Sequence, residues 1–218
     1  MCRILRERKP KCFIAENVKG LLTANKREAF PLIIKEFEDS GYDVKYQVVH
    51  AVEFGVPQKR ERVIIVGFRK DLNVKFDFPE AVIDSPEKYV PLSEVIDSNV
   101  DDKYFFSQKA VDGMMRNRES MNKGRAQNID EPCNTVGAHL AKVSLNSTDP
   151  VLMVDNKYRR FTPREVARIQ SFPETFKLTE SEHAQYKALG NAIPPVMFWY
   201  IMKSVKSSLC LEGECQKQ

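Results

Sequence analysis

Apolar residues in the first part of the chain change between helical and strand-like spacing several times. Residues 1–9 have the spacing of the last turns of a helix, and residues 11–16 form a short apolar run typical of a buried strand. Helical spacing returns over residues 27–40, and β-rich segments follow at residues 44–52 and 62–68. The last of these is continuously apolar, which indicates a strand buried on both faces. The order of the elements predicts an α/β sheet.

The pattern loosens in the middle of the chain. Between residues 73 and 155 prolines are frequent, and only short helical stretches occur, near residues 92–96 and 107–119. We interpret this region as a separate, smaller lobe. Beyond it, Thr-Pro-Arg-Glu at residues 162–165 is a capping box, which predicts the start of a helix. A last helix is predicted over residues 194–205.

Composition excludes several classes of protein. The 218 residues are 42% apolar and 29% charged, enough for one globular domain or a domain with an appendage. Charged residues interrupt every apolar run before it reaches the ~18 residues of a membrane helix, so we predict that the chain does not span a membrane. Its start lacks the apolar core of a signal peptide, which favours the cytoplasm. Five cysteines without a Cys-x-x-Cys pair predict no metal site.

Charge is unevenly distributed along the chain. The net charge is only +4, yet residues 71–102 are strongly acidic and residues 103–126 strongly basic. Clustered Arg and Lys side chains are what a polyphosphate partner requires. A run of charge is also typical of a solvated face, so the charge pattern alone leaves both interpretations open.

Four short motifs occur in order along the chain. They are Glu-Asn-Val at residues 16–18, Gln-Lys-Arg-Glu-Arg at 58–62, Arg-Phe-Thr-Pro-Arg-Glu at 160–165 and Gly-Asn-Ala-Ile-Pro-Pro at 190–195. Together they resemble the later motifs of the DNA (cytosine-5)-methyltransferases. The resemblance covers residues 1–71 and 157–206. For residues 72–156 only the position matches, at the place where that family has its target recognition domain.

The resemblance implies a fold and a division into domains. The expected fold is α/β: the C-terminal part of a Rossmann-like class I methyltransferase sheet, with a smaller, irregular target recognition lobe. Residues 1–72 and 157–218 would form the partial catalytic domain, and residues 73–156 the recognition domain. The family's motif that packs the recognition lobe onto the catalytic domain is matched by Arg160, Thr162 and Glu165.

The resemblance also implies a reaction, a cofactor and a partner. In the family, a methyl group passes from S-adenosylmethionine to carbon 5 of a cytosine that is flipped out of double-stranded DNA. Carbon 5 is a poor nucleophile, so a Cys thiolate first adds to carbon 6 of the base. The implied context is restriction-modification in the bacterial cytoplasm, in association with the nucleoid.

Three residues of the first two motifs resemble catalytic groups of the family. Glu16 resembles the carboxyl group that faces ring nitrogen 3 and the exocyclic amine of the cytosine and supplies a proton. Arg62 resembles the arginine that contacts the cytosine's carbonyl oxygen, and Arg60 the one that steadies the flipped nucleotide's phosphate. From the residues alone, Glu16 could equally cap a turn at a strand end, and both arginines could be solvated.

The remaining expected site residues divide into two groups. Asn191, between Gly190 and Ala192, resembles a cofactor contact that precedes the final helix, although a simple helix cap would look the same. Side chains with suitable donors for base edges or phosphates are found in and beside the basic region. The expected DNA-binding residues of this kind are Arg116, Arg118, Lys123, Arg125 and Gln127. Thr135 is added because it resembles the Thr-(Ile/Leu/Val) element that closes the family's recognition segment, which implies a backbone or phosphate contact.

The sequence departs from the family in one respect. The family's nucleophile lies in a Pro-Cys-Gln loop before the Glu-Asn-Val strand, and its Gly-rich cofactor loop comes earlier still, but this sequence has neither. Cys133 follows a proline yet lies on the wrong side of Glu16, so we do not expect it to be catalytic. We therefore expect a C-terminal part or subunit that is inactive without an N-terminal half. The alternatives are a DNA-binding remnant of such an enzyme and a tRNA cytosine-5 methyltransferase of the same family.

Overall fold

The computed structural model describes residues 1–116, 126–142, 149–178 and 181–210. The chain divides into two compact units. The first unit comprises Met1–His50, Glu61–Glu80 and Trp199–Gln218. The second unit comprises Ala51–Arg60 and Ala81–Phe198. The two predicted domains, catalytic and recognition, are defined by their roles and not by contacts, and that division stays a prediction.

Six α-helices and seven strands lie in the described part of the chain. The helices are α1 Cys2–Arg8, α2 Ala29–Asp39, α3 Gln108–Arg116, α4 Pro163–Ile169, α5 Glu182–Asn191 and α6 Pro195–Cys210. The strands are β1 Cys12–Val18, β2 Tyr42–His50, β3 Gln58–Lys59, β4 Glu61–Arg69, β5 Cys133–Asn134, β6 Leu152–Val154 and β7 Lys157–Arg159. None of the helices described is long and apolar enough to cross a membrane.

The first unit is built on a three-stranded sheet in the order β1-β4-β2. Strand β4 is antiparallel to both neighbours, so β1 and β2 run in the same direction and end at the edge where β4 begins. Its residues Val63, Ile64, Ile65 and Val66 are at most 2% exposed. This confirms the prediction that the continuously apolar run is buried on both faces. The fold is α/β, as expected.

One face of this sheet is covered by helical residues. Leu5 of α1 and Phe30 and Phe37 of α2 join Phe13 of the sheet in one buried cluster. The Phe13 ring lies directly over Gly67 on β4, its partner in the strand register, and a Cβ at residue 67 would approach that ring to 2.1 Å. Glycine at this point therefore lets an aromatic side chain pack on the backbone of the central strand.

The second unit has its own apolar core, and a buried ion pair lies beside it. The capping box at the start of α4 is confirmed, because Thr162 Oγ1 accepts from the Glu165 amide and Glu165 Oε2 accepts from the Thr162 amide. Glu165 also binds Arg159 at 2.6 and 2.8 Å, and both side chains are at most 1% exposed. The charge partner of Glu165 is thus Arg159, which directly precedes the Arg-Phe-Thr-Pro-Arg-Glu motif. The core cluster comprises Leu92, Cys133, Val136, Leu140, Leu152, Phe161, Val166, Ala167, Ile169, Tyr186 and Leu189.

Several element boundaries differ from the prediction. The sequence pattern missed α5, and the Gly-Asn motif lies at the end of that helix. The final helix starts at Pro195, directly after the predicted start at residue 194. The short helical stretch predicted near residues 92–96 is a 3-10 helix over Leu92–Glu94. Helices α1, α2 and α3 lie where helical spacing was found, with bounds shifted by a few residues.

Candidate active site

Glu16 and Arg62 form an ion pair at the edge of the sheet where β1 ends and β4 begins. Arg62 Nε lies 2.7 Å from Glu16 Oε1, and the two side chains are 13% and 24% exposed respectively. A second guanidinium nitrogen of Arg62 donates to the Glu61 carbonyl at 2.7 Å. Arg62 is therefore held from two directions, while enough of the carboxyl group remains exposed to meet a ligand.

Strand register brings these two residues together. Glu16 faces Ile64 across the β1–β4 pair, and Val18 faces Arg62. Because side chains alternate between the two faces of a sheet, Glu16 and Arg62 lie on the same face as diagonal neighbours. In an open α/β sheet, ligands bind beyond the carboxyl ends of parallel strands, and Glu16 lies near the carboxyl end of β1.

Arg60 has a different environment from Arg62. It is 3% exposed and belongs to the second unit, where its guanidinium donates to the carbonyl oxygens of Val136 and Ala192 at 3.3 and 3.2 Å. These two carbonyls lie on the loop after β5 and just beyond the end of α5. In this conformation Arg60 fastens the loop to the helix end, and contact with a nucleotide phosphate stays a prediction.

Gly190 explains why the loop and helix α5 approach so closely. A Cβ at residue 190 would lie 2.2 Å from the carbonyl carbon and oxygen of Gly137, closer than atoms tolerate. Gly190 is buried and Ala192 gives its carbonyl to Arg60, so both support the packing of the loop. Asn191 precedes the final helix, as expected, and it is also the last residue of α5. Its side chain is exposed, and of the three expected cofactor residues it is the one placed to meet a ligand.

A buried amide network, which no sequence pattern predicted, supports the same loop. Gln58 Oε1 accepts from the Val136 amide at 3.0 Å, and Gln58 Nε2 donates to Gln170 Oε1 at 2.9 Å. Gln170 in turn donates to the Leu189 carbonyl at 2.5 Å. Both glutamine side chains are completely buried. The network joins β3, the loop after β5, and helices α4 and α5.

Two of the expected DNA-binding residues lie beside a small polar cavity of about 130 Å³. Gln127 lines the cavity and accepts from the Asn134 amide at 2.8 Å, whereas Thr135 donates to the Lys59 carbonyl at 2.9 Å. Lys59 also pairs with Glu131 at 2.5 Å, and this pairing lowers the pKa of the glutamate. Arg118, Lys123 and Arg125 lie outside the described residues, as does the side chain of Arg116 at the end of α3.

Cys133 is an unreactive core residue. Its side chain is 0% exposed, and burial raises the pKa of the thiol far above its ordinary value. A thiolate is the nucleophilic form of cysteine, so this residue cannot attack a base at neutral pH in this environment. The expectation that Cys133 is not catalytic therefore has a physical basis. Among the residues described, no group of three or more His, Cys, Asp or Glu side chains is placed to hold a metal ion.

Comparison with known proteins identifies the family. The family model for C-5 cytosine-specific DNA methylases matches residues 1–207. The type II methyltransferase M.FnuDI of Fusobacterium nucleatum is 36% identical over 242 residues, covering 99% of this chain and 70% of the relative. M.NgoPII of Neisseria gonorrhoeae is 32% identical over 238 residues, covering 95% of this chain and 68% of the relative. The chain belongs to the C-5 cytosine-specific DNA methylase family, and its relatives include type II methyltransferases.

Solved structures agree on the fold. The S. pombe Dnmt2 methyltransferase is similar with a TM-score of 0.69 at 19% identity, covering 90% of this chain and 64% of that chain. A mutant of the Spodoptera frugiperda DNMT2 gives a TM-score of 0.70 at 19% identity, covering 96% and 70%. At this identity the likeness establishes the methyltransferase fold alone. Membership of a methyltransferase family implies the use of S-adenosylmethionine in general.

Proposed function

We propose that this chain is the C-terminal part of a DNA (cytosine-5)-methyltransferase of the restriction-modification type, which holds the target cytosine and reads the surrounding duplex. The observation that carries the proposal is the Glu16–Arg62 pair, a carboxyl group and a fixed cation 2.7 Å apart at a strand-end edge. S-adenosylmethionine supplies the methyl group when it is bound. On this chain, the exposed amide of Asn191 is the group available to contact it.

The two paired side chains have complementary tasks on a flipped cytosine. Glu16 supplies a proton towards ring nitrogen 3 and accepts from the exocyclic amine, which favours addition of a thiolate at carbon 6. Arg62 donates to the carbonyl oxygen, where negative charge grows as the thiolate adds. Because Arg62 is already held by Glu16 and by the Glu61 carbonyl, it need not reorganise when the base arrives.

The thiolate itself must come from outside this sequence. Cys133 is excluded by its burial and by the raised pKa of its thiol, and the sequence has no Pro-Cys-Gln loop. The two bacterial relatives above are longer than this chain, which spans 70% and 68% of their lengths. We therefore assign the nucleophile and most of the cofactor site to an N-terminal half, either a separate polypeptide or a preceding segment.

Reconstitution tests the proposal. The full chain mixed with the N-terminal half of a family member should transfer tritium from labelled S-adenosylmethionine to duplex DNA, and neither half should do so alone. Glu16→Gln keeps the shape of the side chain but cannot supply the proton, so transfer should fall at least about a hundredfold. Glu38→Gln on the exposed side of α2 is the matched control and should transfer at the wild-type rate.

Each alternative function predicts a different result in the same assay. Duplex binding without transfer in any mixture would indicate a DNA-binding remnant. Transfer to tRNA in preference to duplex DNA would indicate a tRNA methyltransferase. Unchanged transfer by Glu16→Gln would remove Glu16 from the mechanism.

A further inference from the structure

We infer that Glu61 is a positioning residue for Arg62, through an ionic tie that joins all three strands of the sheet at the catalytic edge. The inference deepens the proposed function and rests on it for its catalytic meaning. Its structural part concerns this chain alone. No motif-based assignment above gives the Glu61 side chain a role.

The tie consists of one carboxylate between two nitrogen-bearing side chains. Lys19 Nζ lies 2.9 and 3.0 Å from the two oxygens of Glu61, and His50 Nε2 lies 3.3 Å from Glu61 Oε1. Lys19 directly follows the end of β1, His50 is the last residue of β2, and Glu61 is the first residue of β4. One side chain on the central strand thus fastens the ends of both neighbouring strands.

The tie reaches Arg62 through the main chain. Side chains of consecutive strand residues point to opposite faces, so the Glu61 carboxylate and the Arg62 guanidinium lie on different faces of β4. The Glu61 carbonyl, however, accepts from Arg62 at 2.7 Å. Lys19 and His50 hold the Glu61 side chain and so fix the position of the Glu61 carbonyl. That carbonyl orients the Arg62 guanidinium, and the Arg62 Nε then meets Glu16.

The side-chain contacts in the tie are too exposed for a gain in stability to explain them. The side chains of Lys19, Glu61 and His50 are 55%, 38% and 42% exposed. Exposed contacts of this kind contribute little to the free energy of unfolding. The reaction rate is more sensitive than stability to the position of a side chain, because a displacement of about 1 Å in an active site can cost a hundredfold in rate. Position at the edge that carries Glu16 and Arg62 is what distinguishes this tie from other surface pairs.

The structural test uses the full chain alone and needs no activity. The Arg62 Nε–H resonance is followed by ¹H–¹⁵N NMR in the wild type, in Glu61→Gln and in Glu36→Gln. Glu36 pairs with Arg6 at 2.7 Å on the helices of the same unit, so it provides a matched exposed ion pair away from the site. We expect the Arg62 resonance to broaden and exchange faster with solvent in Glu61→Gln only. An unchanged resonance in Glu61→Gln overturns the inference.

The functional test uses a double-mutant cycle in the reconstituted enzyme. Glu61→Gln should lower kcat about tenfold with the KM for DNA unchanged and with Tm within about 4 °C of the wild type. In an Arg62→Lys background, which lacks the forked guanidinium, Glu61→Gln should cost less than about twofold more. An equal loss in both backgrounds would mean that Glu61 acts independently of Arg62 and would overturn the inference.

The two tests separate the inference from the proposed function. If the wild-type mixture transfers no methyl group while the NMR result is as expected, the proposed function fails and the positioning of Arg62 by Glu61 stands. If transfer occurs and the resonance is insensitive to Glu61→Gln, the proposed function stands and the positioning role fails.

Discussion

The chemistry of a single residue in this chain depends on its burial and partners more than on its motif. Arg60 and Arg62 are two positions apart in one motif, yet Arg60 is a buried anchor for main-chain carbonyls and Arg62 faces a carboxyl group at the sheet edge. The reactivity of Cys133 also depends on burial. The proline–cysteine pair resembles a nucleophile loop in sequence, but the Cys133 side chain is fully buried.

The burial of Cys133 predicts how this residue responds to pH. Its thiol has a raised pKa in the folded state, so the folded chain keeps that proton after the unfolded chain has lost its own at about pH 8.5. The contribution of this thiol to the free energy of unfolding is therefore complete below that pH. Above it, the contribution falls by about 1.4 kcal/mol per pH unit. Unfolding by urea between pH 7.5 and 10 should show this slope in the wild type.

Substitution of Cys133 isolates its effect on the unfolding profile. Cys133→Ala is expected to be less stable throughout but to lack the part of the slope that this thiol causes. Native Cys133 should also resist iodoacetamide at pH 8. Parallel profiles for the two proteins, or rapid alkylation of the native residue, would contradict the burial described above.

At the scale of elements, close approach of backbones decides where glycine is required. The loop after β5 lies against α5 with no room for a side chain at residue 190. At Gly67 of β4 the close neighbour is instead the ring of Phe13, which is a side chain. A neighbour that is main chain cannot move aside as the end of a side chain can. Packing of the second unit therefore requires glycine at residue 190, whatever role the residue has in the motif that resembles a cofactor contact.

Gly190→Ala should consequently destabilise the chain. The added methyl group forces the backbone around Gly137 away from α5, and overpacking of this kind costs about 1–3 kcal/mol. The midpoint of thermal unfolding should fall by about 2–12 °C. Gly20→Ala is the matched control, because nothing lies within 4 Å of a Cβ at that position, and its midpoint should hardly change. Equal midpoints for the two variants would show that the loop does not rest on α5.

Sequence patterns predicted elements well where one physical signal dominated. The apolar run of β4 and the capping box of α4 each have a single explanation, and both are confirmed. Helix α5 was missed because its buried residues are only Tyr186, Leu189 and Gly190, too few to form an apolar stripe. Family resemblance implied separate roles for Glu16 and Arg62, but their pairing was not predicted, because strand register, which no local pattern encodes, brings them together. The same holds for Gln58 and Gln170, whose partners lie far along the chain.

For the molecule as a whole, we expect the charge of the chain, more than its contact area, to determine its affinity for DNA. The chain carries a net charge of +4, and its basic region includes the expected DNA-binding residues from Arg116 to Arg125. Each phosphate neutralised by Lys or Arg releases counterions from the duplex, so affinity depends steeply on salt. This dependence does not require an active enzyme and applies to the chain alone.

Duplex binding should therefore weaken sharply as salt rises. Two neutralised phosphates already imply about a tenfold rise in Kd between 50 and 200 mM KCl, and more contacts imply a steeper rise. Fluorescence anisotropy with a labelled duplex measures this, and Lys123→Ala with Arg125→Ala should flatten the slope. A Kd that does not change with salt would contradict phosphate contact by the basic region.

The anchoring of the loop after β5 has a consequence for how such proteins diversify. Arg60 binds the carbonyls of Val136 and Ala192, Gln58 accepts from the Val136 amide, and Cys133 donates its amide to the Pro57 carbonyl. Nearly all of these contacts are made to peptide groups, which every sequence possesses. The exposed side chains of this segment can therefore change without loss of the main-chain contacts, whereas Cys133 and Val136 are held in the core. If the lobe reads DNA as proposed, it can acquire new specificities at those exposed positions while the Gln-Lys-Arg segment keeps the loop attached.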